Sequence, residues 1–274
     1  MVNERFHRGR GGRSGAGGAG RGRLRRRCGV RFPPAGALAN AARMNDPHHA
    51  AKTRAARAAF AEVRDGMTLG LGTGSTAAAF VRLLGEARPD VACVATSEET
   101  EALARRAGLD LVVPDEATPI DLAVDGADEA DPDGDLIKGG GGALLREKIV
   151  AAAARRFVVI ADASKRVRRL GAFPLPVEVE RYAWGLTVRR VREVLGAHGH
   201  AAPPLTLRAE GTGFAQTDGG NYVLDCALGR IEDAGALDAA LTMIPGVVTT
   251  GLFVGLADTI IYGTDTGTER HDVR

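Results

Sequence analysis

A glycine-rich segment at residues 70–76 has the composition of an anion-binding turn. It reads G-L-G-T-G-S-T between an apolar run and a helical pattern, which places its amides and hydroxyls at a predicted helix N-terminus. The turn supplies three hydroxyls, those of Thr73, Ser75 and Thr76. Only Gly74 interrupts them, which favours a terminal phosphate monoester. The lysine of a Walker A phosphate-binding loop is missing. Two alternatives remain: a dinucleotide-binding turn, for which the pattern is weak, and a structural turn in which a hydroxyl caps the helix.

Two carboxylates, Asp125 and Asp128, follow a buried apolar strand within the segment V-D-G-A-D-E. The carboxyl ends of parallel strands line the ligand crevice, so we expect both to face the glycine-rich turn. Their clustering is expected to raise the pKa of at least one of them and to supply acid–base or sugar-hydroxyl contacts. A solvated acidic turn is the alternative interpretation.

Lys138 precedes four consecutive glycines, residues 139–142, and an amphipathic helical pattern. Four glycines are costly to order unless the backbone must approach another group closely. Glu147 lies on the apolar stripe of that helix, where burial raises its pKa while the helix dipole and Lys138 lower it. Such opposing effects are typical of a general base, although an ordinary first-turn glutamate is the alternative. Lys165, after a further predicted strand, either neutralises a substrate anion or is a surface lysine.

The segments that must position these residues alternate between apolar strands and helices. Unbroken apolar runs are typical of strands in a parallel sheet covered on both faces. The first part of the chain predicts helices at 50–63, 77–85, 100–107 and 143–155, and strands at 67–71, 91–95, 109–113, 122–124 and 157–161. The second part predicts strands at 177–180, 205–209, 222–228 and 247–254, helices at 182–197 and 235–243, and a strand at 259–262 that rejoins the first sheet.

These segments predict an α/β protein with a Rossmann-like parallel-sheet domain and a smaller ferredoxin-like α+β domain. Residues 44–173 and 255–274 would form the Rossmann-like catalytic domain. Residues 174–254, in the order β-α-β-β-α-β, would form a ferredoxin-like domain that serves as a lid or in oligomerisation. Residues 1–43 form a Gly/Arg-rich extension that we expect to be disordered.

The charges are distributed unevenly along the chain. Lys and Arg number 36 against 34 Asp and Glu, a net charge of +2, but residues 1–43 hold eleven Arg and one Glu. The rest of the chain is therefore acidic, which argues against nucleic-acid binding by the folded body, because phosphate neutralisation requires a basic face. The extension fits an RNA-binding arm, a transit peptide or sequence upstream of a natural start at Met44.

The sequence contains no metal-binding or disulfide pattern. A calcium loop starting at Asp131 fails, because Leu136 and Gly142 occupy the positions that require Gly and Glu. Three cysteines without C-x-x-C spacing and six histidines without H-E-x-x-H indicate reduced thiols and no zinc site. No apolar run approaches the length of about 18 residues that a membrane span requires. We therefore expect a cytoplasmic protein that binds no membrane.

Six segments together resemble one enzyme family. They read G-T-G-S-T-A, V-D-G-A-D-E, I-K-G-G-G-G-A-L-L-R-E-K-I-V-A, A-D-A-S-K, P-L-P-V-E-V and I-P-G-V-V-T-T-G-L-F. Their order and spacing, from about residue 50 to residue 264, are similar to those of ribose-5-phosphate isomerase, type A. The resemblance implies interconversion of ribose 5-phosphate and ribulose 5-phosphate through an enediolate, in the non-oxidative pentose phosphate pathway. It also implies a homodimer or homotetramer that uses no metal or organic cofactor.

The same resemblance assigns catalytic roles to four residues. Glu147 would be the general base that moves a proton between C2 and C1. Asp125 and Asp128 would assist ring opening and hydroxyl proton transfer, and Lys138 with the glycine amides would stabilise the enediolate oxygen. The implied substrate-binding residues are Lys52, Thr73, Gly74, Ser75, Thr76, Asp125, Gly126, Ala127, Asp128, Lys138, Gly139, Gly140, Gly141 and Lys165.

The chain departs from the family pattern at two places. Glu98 and Glu99 follow Thr-Ser where the family commonly has an aromatic residue and Gln, and Gly219 stands where Asn is expected. The first departure puts substrate contacts of that loop in doubt. Two other functions remain as alternatives, a phosphosugar-sensing domain without turnover and an NAD-dependent dehydrogenase that uses the first glycine loop. A sensor usually carries a DNA-binding helix-turn-helix, and none precedes residue 66.

Overall fold

The computed structural model describes residues 48–274, so the extension predicted at 1–43 lies outside the described residues. The helices are α1 His49–Phe60, α2 Ser75–Ala87, α3 Glu98–Arg106, α4 Leu144–Ala153, α5 Trp184–Ala197 and α6 Ala234–Thr242, with a short 3-10 helix at Ala163–Lys165. The strands are β1 Thr68–Leu71, β2 Ala92–Ala95, β3 Asp110–Leu111, β4 Leu122–Asp125, β5 Glu129–Ala130, β6 Leu136–Ile137, β7 Phe157–Asp162, β8 Leu175–Val179, β9 Leu205–Leu207, β10 Ala209–Glu210, β11 Gly213–Phe214, β12 Tyr222–Cys226, β13 Val247–Thr250, β14 Leu252–Phe253, β15 Thr259–Gly263 and β16 Thr268–Asp272. Among the helices of residues 48–274, none is long and apolar enough to cross a membrane.

The largest sheet has seven strands in the order β3-β2-β1-β4-β7-β15-β16. All its neighbours are parallel except β16, which runs antiparallel along the edge of β15. The chain reverses its direction of growth across the sheet between β1 and β4, so the carboxyl ends of these two strands flank the point where such sheets bind ligands. The parallel-dominated α/β fold predicted from the sequence is confirmed.

Alternate residues of the central strands point to opposite faces of this sheet and belong to two hydrophobic cores, one on each face. On one face Leu122 and Val124 pack with α1, α2 and α3. On the other face Ala123 and Phe157 pack with α4 and with residues near β14. Burial of both faces explains why the strands are continuously apolar. It also places the N-termini of α2 and α4 on opposite sides of the same strand ends.

A second sheet has four antiparallel strands in the order β13-β8-β12-β9. Helices α5 and α6 cover one face and bury a third core, which includes Val177, Val191 and Leu237. The elements follow one another as β-α-β-β-α-β, the succession that the sequence predicts. A two-stranded hairpin, β10 with β11, extends between β9 and β12.

Gly251 divides the segment that the sequence predicts as one strand at 247–254. Before it, β13 pairs with β8, and after it β14 joins a small antiparallel sheet with β6 and β5. The Gly251 amide donates to the carbonyl of Pro176 at 2.7 Å, and its own carbonyl accepts from the Lys138 amide at 2.9 Å. A Cβ here would lie 2.3 Å from the Lys138 carbonyl oxygen, so only glycine allows this change of sheet. The prediction of a single strand is wrong for this reason.

Other predicted elements differ mainly in their ends. All six predicted helices are present, and the last predicted strand rejoins the first sheet as β15 beside β7. The strand predicted at 109–113 pairs only over β3, and the one predicted at 205–209 divides into β9 and β10. Strands β5, β6, β11 and β16 are not predicted from the sequence, because two-residue strands and a polar edge strand carry little apolar periodicity.

Candidate active site

The turn between β1 and α2 depends on two glycines. A Cβ on Gly72 would lie 2.0 Å from Oδ1 of Asp125, and Gly74 has a φ of +101°. Helix α2 begins at Ser75, and its N-cap, Gly74, offers no side chain, so the hydroxyl-cap alternative is wrong. The first amides of a helix have no partner within it and attract anions. The turn therefore presents an anion-binding helix terminus.

Asp125 ends β4 and lies against this turn. Its Oδ1 accepts hydrogen bonds from the amides of Thr73 at 3.1 Å and Gly126 at 2.6 Å. Its Oδ2 is 2.9 Å from Nζ of Lys138. Because Asp125 is buried, these partners replace the water that the carboxylate loses. The two strand ends flanking the switch point are therefore joined through one carboxylate.

Lys138 follows β6 and is only 3% exposed. Its Nζ donates to the carbonyl of Gly126 at 2.6 Å and lies 3.3 Å from Oε2 of Glu147. The ring of Phe253, from β14, has its centroid 5.4 Å from the same nitrogen, within the range of a cation–π contact. The ammonium group thus lies between two buried carboxylates and over an aromatic ring.

Glu147 projects from the first turn of α4 and is buried. Its Oε2 makes no hydrogen bond with any of the described residues and has only the ion-pair contact with Lys138. Burial and the neighbouring Asp125 carboxylate raise the pKa of Glu147 to about 8, against the lowering effect of Lys138. A carboxyl group that titrates at such a pH can accept and return a proton during turnover.

The other two members of this cluster also have shifted pKa values. Burial raises the pKa of Asp125, although Lys138 and two backbone amides oppose the shift. Burial alone would lower the pKa of Lys138, but the attraction of Asp125 and Glu147 outweighs it and raises that pKa. The lysine therefore stays charged, while the two carboxyl groups compete for a proton.

Residues 139–142 form a tight turn that leads into α4. The amide of Gly142 donates to the carbonyl of Gly139 at 3.0 Å, and the two residues have φ values of +81° and +100°. The amide of Gly140 donates to Oδ2 of Asp128 at 2.8 Å, and a Cβ on Gly140 would lie 2.8 Å from Oδ1 of the same carboxylate. Positive φ accounts for Gly139 and Gly142, and close approach accounts for Gly140.

Two lysines lie at the other end of the site, beside the N-terminus of α2. Nζ of Lys52, from α1, is 2.9 Å from Oγ of Ser75. Lys165 ends the 3-10 helix that follows β7. Two cations next to a helix N-terminus form an electropositive end that suits a phosphate group.

A cavity of about 130 Å³ connects the lysine end with the carboxylate end. Its lining residues are Lys52, Thr73, Gly74, Ser75, Thr76, Gly126, Ala127, Asp128, Lys138, Gly139, Gly140, Gly141, Glu147 and Lys165. All the site residues predicted from the sequence line this cavity except Asp125. Asp125 contacts Lys138, which does line it. Within residues 48–274 no group of three or more His, Cys, Asp or Glu is arranged to hold a metal ion.

Three contacts near the cavity were not predicted from the sequence. The hydroxyl of Thr73 lies within 2.9 Å of the hydroxyls of Thr96 and Ser97, so it bonds inside the protein. Arg208 contacts the glycine turn from the four-stranded sheet. Asp218 accepts from the backbone amide of Glu98 at 2.8 Å, while the Glu98 side chain is exposed and does not line the cavity. A lone Arg and a lone Asp in two neighbouring apolar strands, at 205–209 and 222–228, were the available signal for Arg208.

Known proteins are similar to this chain over most of its length. Residues 92–267 match the family described as ribose 5-phosphate isomerase A (phosphoriboisomerase A). The ribose-5-phosphate isomerase A of Maricaulis maris is 51% identical over 219 residues, which cover 78% of this chain and 94% of the relative. The chain belongs to the ribose 5-phosphate isomerase A family. It is an aldose–ketose isomerase, and the predicted interconversion of ribose 5-phosphate and ribulose 5-phosphate in the pentose phosphate pathway is confirmed.

Solved structures agree with this assignment. The isomerase is similar to ribose 5-phosphate isomerase A from Methanocaldococcus jannaschii, with a TM-score of 0.76, 39% identity, and coverage of 82% of this chain and 99% of that one. It is equally similar, with a TM-score of 0.76, to a D-ribose-5-phosphate isomerase in complex with phospho-erythronic acid, at 37% identity and coverage of 81% and 97%. These relatives leave no support for the dehydrogenase or the sensor.

Proposed function

We propose that the isomerase moves a proton between C2 and C1 of the open-chain sugar phosphate, with Glu147 as the general base. The observation that carries this proposal is the buried Glu147 carboxyl, which lines the cavity, has a raised pKa and leaves Oε2 without a hydrogen bond among the described residues. Removing a proton next to the carbonyl gives an enediolate, and returning it to the other carbon completes the isomerisation. The same carboxyl serves both steps, because each step reverses its protonation.

The enediolate oxygen needs positive charge and hydrogen-bond donors as it forms. Lys138 supplies the charge, and its raised pKa keeps it protonated throughout the cycle. Gly139 to Gly141 line the same cavity; the Gly140 amide bonds to Asp128, and the amides of Gly139 and Gly141 supply donors. Donors that are fixed before the reaction stabilise the developing charge without reorganisation.

The two aspartates act on the hydroxyl groups of the sugar. Asp128 lines the cavity, and among the described residues a single amide, that of Gly140, donates to its carboxylate, so it retains acceptor capacity for a hydroxyl group. Asp125 reaches the site through Lys138 and shares its proton equilibrium with Glu147. We assign both residues to ring opening and to proton transfer between the sugar oxygens.

The phosphate group occupies the electropositive end of the cavity. Lys52 and Lys165 supply charge, and the backbone at Gly74, Ser75 and Thr76 supplies donors at the start of α2. Thr73 contributes its main chain, because its hydroxyl already bonds to Thr96 and Ser97. This division places the phosphate and the reacting carbons at opposite ends of one cavity. The proposed chemistry assigns no step to a metal or cofactor.

The remaining predictions concern the wider protein. We propose that residues 174–254 form a ferredoxin-like domain next to the Rossmann-like catalytic part at 44–173 and 255–274, which is supported by the antiparallel order β13-β8-β12-β9. Exposed apolar side chains that contact one another, Trp184 and Phe214 with ring centroids 5.8 Å apart, support a homodimer or homotetramer. Buried free thiols at Cys93 and Cys226 support a cytoplasmic location.

Hydrogen exchange with solvent tests the proton-transfer route. The isomerase, treated exhaustively with EDTA, is incubated with ribose 5-phosphate in D₂O until many turnovers have passed. We expect deuterium at C2 of the aldose and C1 of the ketose, because a proton held by a carboxyl group exchanges with water, whereas a hydride shift incorporates none. Turnover without any incorporation would contradict the proposal, and loss of turnover after EDTA would contradict a metal-free reaction. NMR spectroscopy of both sugars provides the measurement.

The rate should also depend on pH in a defined direction. A general base acts as the carboxylate, so protonation of Glu147 below its pKa of about 8 removes the active form. We expect kcat/KM to fall by up to about tenfold for each pH unit below that value and to level off above it. Because Asp125 shares the proton, the midpoint belongs to the pair of carboxyl groups. Initial rates over about two pH units on either side provide the check, and a flat profile would count against Glu147.

A further inference from the structure

One side chain outside the cavity, that of Arg208, holds the glycine turn in place. Its Nη1 donates to the carbonyl oxygens of Gly139 and Gly140, each at 3.0 Å. Arg208 directly follows β9 in the four-stranded sheet, whereas the turn leads into α4, which carries Glu147. A residue of the smaller sheet therefore contacts the backbone that lines the reaction site.

Arg208 is itself fixed on several sides. Its Nε and Nη2 donate to the two carboxylate oxygens of Asp225, on the neighbouring strand β12, at 3.0 and 2.6 Å. Its backbone amide donates to the carbonyl of Val223 and its carbonyl accepts from the amide of Ala215, both at 2.9 Å. A bidentate charge-assisted pair on a paired backbone leaves the guanidinium little freedom to move.

Peptide geometry transmits this restraint to the cavity side of the turn. In a planar trans peptide the carbonyl of one residue and the amide of the next point in opposite directions. Holding the carbonyls of Gly139 and Gly140 toward Arg208 therefore turns the amides of Gly140 and Gly141 away from it. The Gly140 amide donates to Asp128, which lines the cavity, as this opposite orientation of carbonyl and amide requires.

The turn needs such a restraint from outside. Glycine loses more conformational freedom on ordering than any other residue, and four in succession can adopt many backbone directions. The turn has one internal backbone hydrogen bond, from Gly142 to Gly139, which does not fix the peptide between Gly140 and Gly141. The second contact of Nη1, at the Gly140 carbonyl, fixes that peptide.

We propose that Arg208 is a positioning residue for the isomerisation, which orients the amide of Gly141 toward the enediolate oxygen and that of Gly140 toward Asp128. Asp225 in turn fixes Arg208. Arg208 does not line the cavity and so acts through the glycine turn. The inference rests on the proposed function, because amides oriented in this way have a catalytic effect only if an enediolate forms. Lysine cannot replace arginine, since an ammonium group lacks the planar fork that binds a carboxylate and two carbonyls at once.

The variant Arg208→Lys tests this role while keeping the charge. We expect kcat to fall by about 10- to 100-fold, somewhat less than the loss of an oxyanion donor causes. KM should change by no more than about threefold, because the amides gain strength mainly in the transition state. The affinity for phospho-erythronic acid, whose carboxylate stands in for the enediolate oxygens, should fall together with kcat. The pH midpoint of kcat/KM should stay in place, because the carboxyl groups are untouched.

A matched control and a second variant make the test decisive. Arg190→Lys alters another arginine of the smaller domain, in an exposed pair with Glu193, and should leave kcat unchanged. Asp225→Asn keeps Arg208 but weakens its anchor, so a smaller loss of kcat with native circular dichroism is expected. A folded Arg208→Lys protein with unchanged kcat, or with only a raised KM, would overturn the proposal. Unfolding of both variants would also overturn it, because the pair would then be required for stability alone.

Assaying Glu147→Gln in parallel separates this inference from the proposed function. If Glu147→Gln retains activity, the assignment of the base fails, whatever Arg208→Lys does. If Glu147→Gln is inactive while Arg208→Lys has normal kcat and normal affinity for phospho-erythronic acid, the base stands and only the positioning role is refuted.

Discussion

Glu147→Gln is expected to reduce kcat by about 10²- to 10⁴-fold, the range that one general acid–base group contributes. The amide is nearly the same size as the carboxyl but cannot accept a proton from carbon. The folded state should remain intact, because the change removes a buried charge and Lys138 retains its 2.9 Å contact with Asp125. Steady-state assays with ribose 5-phosphate, together with thermal unfolding, provide the measurement.

Glu101→Gln is the matched control for this prediction. Glu101 makes an exposed i,i+4 pair with Arg105 at 2.7 Å, so its replacement removes a carboxylate without affecting the cavity. Its kcat should equal that of the unmodified isomerase. Turnover of Glu147→Gln close to that of Glu101→Gln would transfer the role of base to another group.

Lys138→Met should impair both catalysis and folding. Losing the cation at the enediolate oxygen is expected to lower kcat by about 10²- to 10³-fold. The change also leaves Asp125 and Glu147 buried without their shared partner, and breaking a buried ion pair costs about 3–5 kcal/mol of unfolding free energy. Urea unfolding and kinetics on the same preparation measure the two effects.

The stability loss in Lys138→Met should depend on pH. Without Lys138 the pKa values of both carboxyl groups rise further, since burial is then unopposed by the ammonium. Protonation removes the charge of a buried carboxylate and with it the cost of burial. The stability of the variant should therefore approach that of the parent as the pH falls and drop below it as the pH rises. Lys148→Met is the control, because Nζ of Lys148 lies 5.2 Å from the same Phe253 ring but the residue does not line the cavity. A loss of kcat in this control equal to that in Lys138→Met would contradict a specific role for Lys138.

The sequence was sufficient to predict most of the site, because its residues follow parallel strands directly. Thr73 follows β1, Asp125 ends β4 and Lys165 follows β7, and the carboxyl ends of parallel strands meet at one edge of a sheet. Glu147 could be predicted from helical periodicity, because its row on α4 is apolar. Local spacing and one topological rule were therefore enough to bring the glycine-rich turn and Glu147 to the same cavity.

The contacts that cross between sheets could not be predicted in this way. The link from Arg208 to the glycine turn and the link from Asp218 to Glu98 join residues with no shared periodicity. The break at Gly251 could not be predicted, because an apolar segment has the same sequence pattern whether its two halves pair with one sheet or with two. The direction of the Thr73 hydroxyl depends on Thr96 and Ser97, which only the packing of β2 beside β1 brings near.

The change of sheet at Gly251 also has a consequence for biosynthesis. Backbone pairing with Gly251 and β14 completes the surroundings of Lys138, although these partners lie far downstream of it in the chain. Pairing across a long stretch of chain carries a loop-closure cost and tends to form late in folding. A nascent chain on the ribosome can therefore build the glycine-rich turn and the first strands well before Lys138 acquires its strand partner. The backbone pairing of Lys138 is thus expected to be among the last contacts that the growing polypeptide forms.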